Sequence, residues 1–209
     1  MKILFFGDSI TDAGRDRSGD FGLTSYGHGY VKFAAGELLG KDPAGYEIVN
    51  RGISGNRIVD LYARIKVDCW NVEPDVLSIL IGVNDVWHEV GQKNGVELDR
   101  FEKVYRMLLE DTKKRLPNVK IVLCEPFVLK GSATAERYDE FLQVYEYAKV
   151  VKKLAEEYGL YFLPLQEKLS EAAKSGAEYY LSDGVHPAMA GAKLIADEWL
   201  KLFREKIEK

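Results

Sequence analysis

The sequence predicts an α/β fold, a parallel sheet between two layers of helices, and three observations carry that prediction. Short runs rich in Ile, Val and Leu alternate with segments of helical periodicity along the 209-residue chain. These runs are apolar at successive rather than alternate positions, as strands buried on both faces must be. Each is followed by a helix-like segment, and right-handed crossovers then place helices on both faces of the sheet.

In chain order, residues 3–6 (ILFF) read as the first strand, followed by a Gly-rich loop and a helix over about residues 26–39. Residues 47–50 (EIVN) form a second strand, and a helix runs over about residues 57–70. The third strand, 75–81 (DVLSILI), is the clearest, bounded by Pro74 and Gly82. Apolar positions 98, 101, 104, 108 and 109 then follow helical spacing until Pro117. Residues 120–124 (KIVLC) make a fourth strand. Phe141, Val144, Ala148, Val151, Ala155 and Tyr158 mark one face of a long helix, with Gly159 as its C-cap. A short fifth strand covers 161–163, and a last helix over about 188–206 buries Ile195, Trp199, Leu202 and Phe203.

Composition sets the outer limits. Hydrophobic residues make up 46% and charged residues 30%, as in globular enzymes, and the length suits one domain over 1–209. The 29 basic and 33 acidic residues give a net charge of -4 with no basic block, which argues against a nucleic-acid partner. No 18-residue apolar run is present, so no membrane span is expected. The stretch before Gly7 is too short for a secretory leader, and Cys69 and Cys124 read as buried thiols; both point to the cytoplasm. A homo-oligomer is compatible with the sequence. The Lys/Glu-rich stretches at 149–157 and 201–209 read as solvated helix faces.

Four short blocks carry chemistry. Gly7-Asp8-Ser9-Ile10-Thr11 follows the first strand, so Ser9 stands at the carboxyl edge of the sheet, where backbone N–H groups can face an oxyanion. The alternative for Ser9 alone is a helix cap. Asp183-Gly184-Val185-His186-Pro187 precedes the last helix. A carboxylate three residues before a histidine can accept its Nδ1–H, leaving Nε2 free to take a hydroxyl proton. Gly52-Ile53-Ser54-Gly55-Asn56 follows the second strand and Gly82-Val83-Asn84-Asp85 the third. Gly55 permits close backbone approach, and the Asn84 amide supplies a further donor. Each block alone fits an ordinary turn, but together they converge on one edge of the sheet.

These four blocks, in this order and spanning residues 4 to about 195, resemble the GDSL/SGNH hydrolase family, whose namesake residues are here Ser9, Gly55, Asn84 and His186. The resemblance implies a flavodoxin-like sandwich with a five-stranded parallel sheet and neither metal nor organic cofactor. It makes Ser9 the nucleophile, His186 the general base and Asp183 its orienting partner. It also makes Ser9 N–H, Gly55 N–H and the Asn84 side chain the oxyanion donors. The stretches GDSITDAGR, GISGN with DLYAR, and IGVNDVW are similar to those of bacterial carbohydrate acetylesterases, including acetyl-xylan esterases. A small-molecule or oligosaccharide ester is then the expected partner. Such esterases often carry Trp before the catalytic Asp, where this chain has Ser182.

Trp87, Tyr180 and Arg15 are the candidate substrate contacts, with core packing the equal alternative for Trp87 and pairing with a nearby carboxylate the alternative for Arg15. Phe21, Tyr26, His28, Tyr30 and Tyr179 are further rings near the blocks, several of them expected in the core. For His28 and His88 a solvated or satisfied imidazole is the plainer expectation. Asp8 and Asp85 are expected to hold loops through backbone hydrogen bonds. A lysophospholipase or acyl-thioesterase on the same triad is the alternative; it needs an acyl-chain groove, and no long apolar loop suggests one. A non-catalytic carbohydrate-binding protein would have no need for the full set of five polar residues.

Overall fold

A computed structural model describes residues 1–208. Strands β1 (Lys2–Gly7), β2 (Glu47–Gly52), β3 (Val76–Leu80), β4 (Lys120–Cys124) and β5 (Tyr161–Leu163) form one sheet in the order β2-β1-β3-β4-β5. Every neighbouring pair is parallel. This is the flavodoxin-like order, whose switch point lies between β1 and β3. The apolar runs explain the strands: Ile3 to Phe6, Val76, Leu77 and Ile79, and Ile121 to Leu123 are all buried. The two edge strands depart: β2 has half-buried Glu47 and Arg51, and β5 half-buried Tyr161 and Phe162.

The helices are α1 (Ser9–Asp12), α2 (Tyr30–Lys41), α3 (Ile58–Asp68), α4 (Val83–Gln92), α5 (Leu98–Arg115), α6 (Tyr138–Phe141), α7 (Val144–Tyr158), α8 (Gln166–Ala173), α9 (Ala177–Leu181) and α10 (Met189–Lys206). Helix α2 packs on α10, while α3 packs on α5 and α5 on α7, which makes the three layers. Trp199 of α10 is the keystone of its layer. Its ring lies 4.8 Å from Phe5 in β1 and 5.1 Å from Phe203, and its Nε1–H donates to Ser78 Oγ in β3 at 3.0 Å. That bond accounts for the one hydroxyl inside the DVLSILI run, since a buried polar group needs a partner. Cys69 and Cys124 are buried and unpaired. None of the described helices is long and apolar enough to cross a membrane.

The helices differ from the sequence expectation mainly at their starts. The helix expected from 26 begins at Tyr30, because Gly27 takes φ +73° and Gly29 serves as N-cap. This leaves Tyr26 and His28 in the loop. The helix expected over 57–70 is capped by Arg57 and stops at Asp68; Trp70 opens a separate tight turn, its Nε1–H donating to Thr112 Oγ1 at 3.1 Å. Phe141 closes the short α6 rather than opening the long helix. Helices α1, α4, α8 and α9 were not expected. The block after β3 is no loose turn: Val83, Val86 and Val90 face the core, and Asn84 and Asp85 sit in the first turn of α4.

Candidate active site

The four blocks meet at the carboxyl edge of the sheet, at the switch between β1 and β3. Asp8 caps α1, its Oδ1 accepting from Ile10 N–H at 2.9 Å, and so fixes the turn that presents Ser9. The Ser9 hydroxyl lies 2.9 Å from His186 Nε2, and His186 Nδ1 lies 2.6 Å from Asp183 Oδ2. Asp183 Oδ1 also accepts from the backbone N–H of Val185 at 2.8 Å and of His186 at 2.7 Å. One carboxylate thus organises the whole turn. Burial works against its charge, yet these bonds hold the Asp183 carboxyl below its usual range. The same bond raises His186 above its ordinary value, with burial in partial opposition.

Segment 129–133, after β4, holds this turn from outside. Leu129 N–H donates to Gly184 O at 2.8 Å, Ser132 N–H to Ser182 O at 3.0 Å and Ala133 N–H to Asp183 O at 3.1 Å.

The residues expected as oxyanion donors lie on the neighbouring segments after β1, β2 and β3. Gly55 adopts φ +83°, a left-handed conformation that glycine accepts without strain. Among the described residues, no backbone acceptor takes the N–H of Ser9 or Gly55. Asn84 is buried, and its Nδ2 donates to Asn56 O at 3.1 Å, which orients the amide and leaves its second N–H free.

Several residues that fix these loops were not expected from sequence. Asp12, 3% exposed, accepts from Ser54 N–H and Oγ–H, both at 2.9 Å, and from Arg17 at 2.7 Å. Burial opposes its charge, but these bonds keep the Asp12 carboxyl below its usual range. Gly52 lets the two loops close, because a Cβ there would stand 2.1 Å from Asp12 N. Asn50 Nδ2 donates to Thr11 O at 2.7 Å, and its Oδ1 accepts from Gly52 N–H at 2.8 Å. Arg64 of α3 reaches beneath both loops, donating to Gly7 O at 3.1 Å, Arg51 O at 2.8 Å and Asn56 Oδ1 at 2.7 Å. No local motif marks Asp12 or Arg64 as loop braces, since Ser54 for the first and Gly7 for the second are distant in sequence.

Of the candidate substrate contacts, Trp87 packs beside His186, ring to ring at 5.8 Å, and edge-on to Phe141 at 5.5 Å, against the core and outside the lining of the cleft. Arg15 does not point at the cleft as a free cation; its Nε–H donates to Gly52 O at 2.9 Å, tying the first two loops. Tyr180 does not line the cleft either. It packs against the core, and its carbonyl accepts from Ala188 N–H at 2.8 Å. Conversely His28, expected to be a bystander, lines the cleft of about 310 Å³ together with Ser9, Ile10, Ser54, His186 and Pro187. His88 lies outside that lining, and burial lowers its pKa.

The family profile of the GDSL-like lipases/acylhydrolases matches residues 5–194. This chain belongs to that family. It is accordingly a carboxylic ester hydrolase. It is 39% identical over 208 residues to an acetylxylan esterase from Geobacillus stearothermophilus, covering 96% of this chain and 92% of that one. The solved structure of that esterase superposes with a TM-score of 0.83 at 36% identity over the same shares. A GDSL-like lipase from Parabacteroides merdae superposes with a TM-score of 0.90 at 44% identity, covering 98% of this chain and 96% of that one. Catalytic mutants of the Geobacillus esterase replace a serine, an aspartate or a histidine by alanine, the aspartate three positions before the histidine. A tryptophan stands immediately before that aspartate.

Proposed function

We propose that this hydrolase, acting as one catalytic domain, removes acetyl groups from carbohydrate, with acetylated xylo-oligosaccharides as its substrates and Ser9, His186 and Asp183 as its triad. The observation that carries the reading is the unbroken hydrogen-bonded chain from Ser9 Oγ through the His186 ring to Asp183. His186 Nε2 takes the hydroxyl proton as Ser9 Oγ bonds to the ester carbonyl carbon. The carbonyl electrons move to oxygen, which Ser9 N–H, Gly55 N–H and Asn84 Nδ2–H stabilise. The intermediate collapses, the bond to the alcohol breaks, and His186 gives its proton to the departing sugar hydroxyl. Water then attacks the acyl-enzyme, His186 takes its proton, and acetate leaves as Ser9 regains a hydroxyl. Asp183 stays ionised and stabilises the imidazolium throughout.

The acetyl group is supported by the small cleft and by the likeness to the acetylxylan esterase. Ser182 stands where that relative has tryptophan, so a ring present beside the relative's aspartate is absent here. Two buried, unpaired thiols suit a reducing compartment, which supports a cytoplasmic setting.

A second reading, a longer acyl chain, is favoured by one feature. An apolar groove of about 800 Å³, lined by Leu23, Tyr26, Phe33, Leu39 and Met189, shares His28 with the cleft. The acyl-chain groove that the sequence did not suggest therefore has a place to be.

The test is acetate release from acetylated xylo-oligosaccharides by the wild type and by Ser9→Ala, followed by aryl esters of increasing chain length. Ser9-dependent release with activity falling beyond acetyl is expected. Silence on the sugar ester with activity rising toward eight carbons would overturn the acetylesterase reading in favour of the groove.

A further inference from the structure

Two carboxyl groups beneath the donors take no part in the steps above. Asp8 precedes Ser9 and Asp85 follows Asn84, and both are 0% exposed. Each uses one oxygen to hold a backbone N–H. Asp8 Oδ1 accepts from Ile10 at 2.9 Å, and Asp85 Oδ1 accepts from Ile58 at 3.0 Å. The first bond holds the turn that carries Ser9. The second ties the start of α4, with Asn84, to the start of α3, just beyond Gly55 and Asn56. The other oxygen of each, Oδ2, is buried without a hydrogen-bond partner within the described residues.

The surroundings offer little to neutralise two negative charges. Asp85 faces Asp8 itself, and Arg57 at the head of α3 acts on it from a distance. His186 faces Asp8 from the last loop, as does Tyr30 from α2. Tyr105 of α5 and Tyr147 of α7 face Asp85, and the Tyr105 hydroxyl also lacks a partner. These phenols remain neutral, since burial pushes all three upward. A buried carboxylate with one N–H bond, no bonded cation and a second carboxylate in range is strongly disfavoured. Retaining a proton removes the conflict.

We propose that Asp8 and Asp85 are a pair of positioning residues that keeps at least one proton through neutral pH, so the floor of the oxyanion hole never carries two negative charges while their bonds to Ile10 and Ile58 hold Ser9 and Asn84 in place. The proposal rests on the reading of Ser9 as nucleophile. Burial agrees with it, pushing Asp8 up to about 7 and Asp85 well above the ordinary carboxylate range. With both carboxyls raised and the two charges opposed, the pair gives up its second proton less readily than its first. Loss of the second at alkaline pH sets two charges against the developing oxyanion, and turnover falls.

Asparagine at 85 keeps an oxygen for the Ile58 N–H but cannot ionise, so Asp85→Asn separates the brace from the proton. The experiment measures kcat and KM against pH for aryl acetate hydrolysis by wild type, Asp85→Ala and Asp85→Asn, alongside carboxyl-carbon NMR of aspartate-labelled protein. Asp85→Ala is expected to lower kcat about tenfold with KM little changed, short of the about 10²–10³ that loss of a whole donor costs. Asp85→Asn is expected to recover most of that loss and to shift the alkaline fall upward. One carboxyl signal of the wild type should remain protonated above neutrality and be missing from Asp85→Asn. An Asp85→Asn profile with the wild-type alkaline limb, or aspartate signals all ionised at neutral pH, would overturn the proposal. The NMR readout needs no turnover. Absence of Ser9-dependent hydrolysis would therefore sink the nucleophile reading and leave the protonation of the pair separately decided.

Discussion

Ser9 and His186 lie 2.9 Å apart, yet the two sides of that contact are held in opposite ways. On the Ser9 side the loops after β1 and β2 are joined to each other by buried groups from distant parts of the chain. Asp12 binds Ser54, Asn50 binds Thr11, and Arg64 spans Gly7, Arg51 and Asn56. On the other side the His186 side chain is 46% exposed, and the partner that orients its ring lies only three residues away. A short turn from Asp183 to His186 builds the base, with segment 129–133 holding the turn's backbone. The difference teaches that Ser9 is placed by the fold and His186 by a local motif. Substitutions of the buried groups that brace Ser9, though not of Ser9 itself, should cost stability and activity together. On the second they should cost activity alone.

The largest expected effects are at the contact itself. Ser9→Ala and His186→Ala should each lower kcat by about 10⁵–10⁶-fold, and the double variant should be no worse than either, because the parts act as a unit. Circular-dichroism melting of both should stay near the wild type. An additive double variant would mean that the two residues do not share one step.

Asp183→Asn comes next, at about 10⁴-fold in kcat, through loss of the correct tautomer. It also has a sign. The base works only when neutral, and its bond to Asp183 raises His186 above its ordinary 6.5. Wild-type activity should therefore fall as pH drops through a midpoint above that value. Removing the charge at 183 should move this acid limb downward in a pH profile of kcat/KM. A limb that stays in place would assign it to another group.

The same division decided what was legible beforehand. The strands were readable because a sheet covered on both faces needs unbroken apolar runs, and Ile3 to Phe6 or Ile121 to Cys124 offer nothing else. Asp183 and His186 were readable because their interaction is local. Ser9, Gly55 and Asn84 could be brought to one edge of the sheet because each lies within four residues of a strand's end. Asp12 and Arg64 were not, since a carboxylate bonded to Ser54 and a guanidinium reaching Gly7 are tertiary facts. Tyr180 and Arg15 were placed in the site by proximity in sequence, but core packing takes the first and the Gly52 carbonyl the second. The start of α4 could have been found: Val83, Val86 and Val90 already repeat at helical spacing, masked by the turn-like Gly82 and Asn84. Helix α8 buries only Gln166 and Leu169, too little for a periodic signal.

Arg64 sharpens the comparison from the Ser9 side. Its side chain is 13% exposed and sits 4.4 Å over the Phe6 ring besides making its hydrogen bonds. Arg64→Ala should lower stability by about 2–3 kcal/mol in urea unfolding and reduce kcat as the loops loosen. Arg64→Lys should rescue little, because a point charge cannot reproduce the planar fork that reaches several acceptors. Full rescue by lysine would mean that charge alone, rather than the bridge between loops, is what the site needs.

The smallest effect is expected where the two sides meet a third element. Trp87 of α4 lies against His186 and is itself held edge-on by Phe141. If the ring supports the imidazole, Trp87→Ala should lower kcat on an acetylated xylo-oligosaccharide and on an aryl acetate alike. An aromatic contact of about 0.5–1.5 kcal/mol corresponds to about two- to tenfold in rate. Phe at this position should restore most of the loss, since the edge-on contact with Phe141 needs a ring rather than an indole N–H. A change confined to KM for the sugar ester would instead make Trp87 a wall of the sugar site, standing in for the ring that Ser182 lacks. The base would then be held by Asp183 and its turn alone, and the contrast between the two sides would be sharper still.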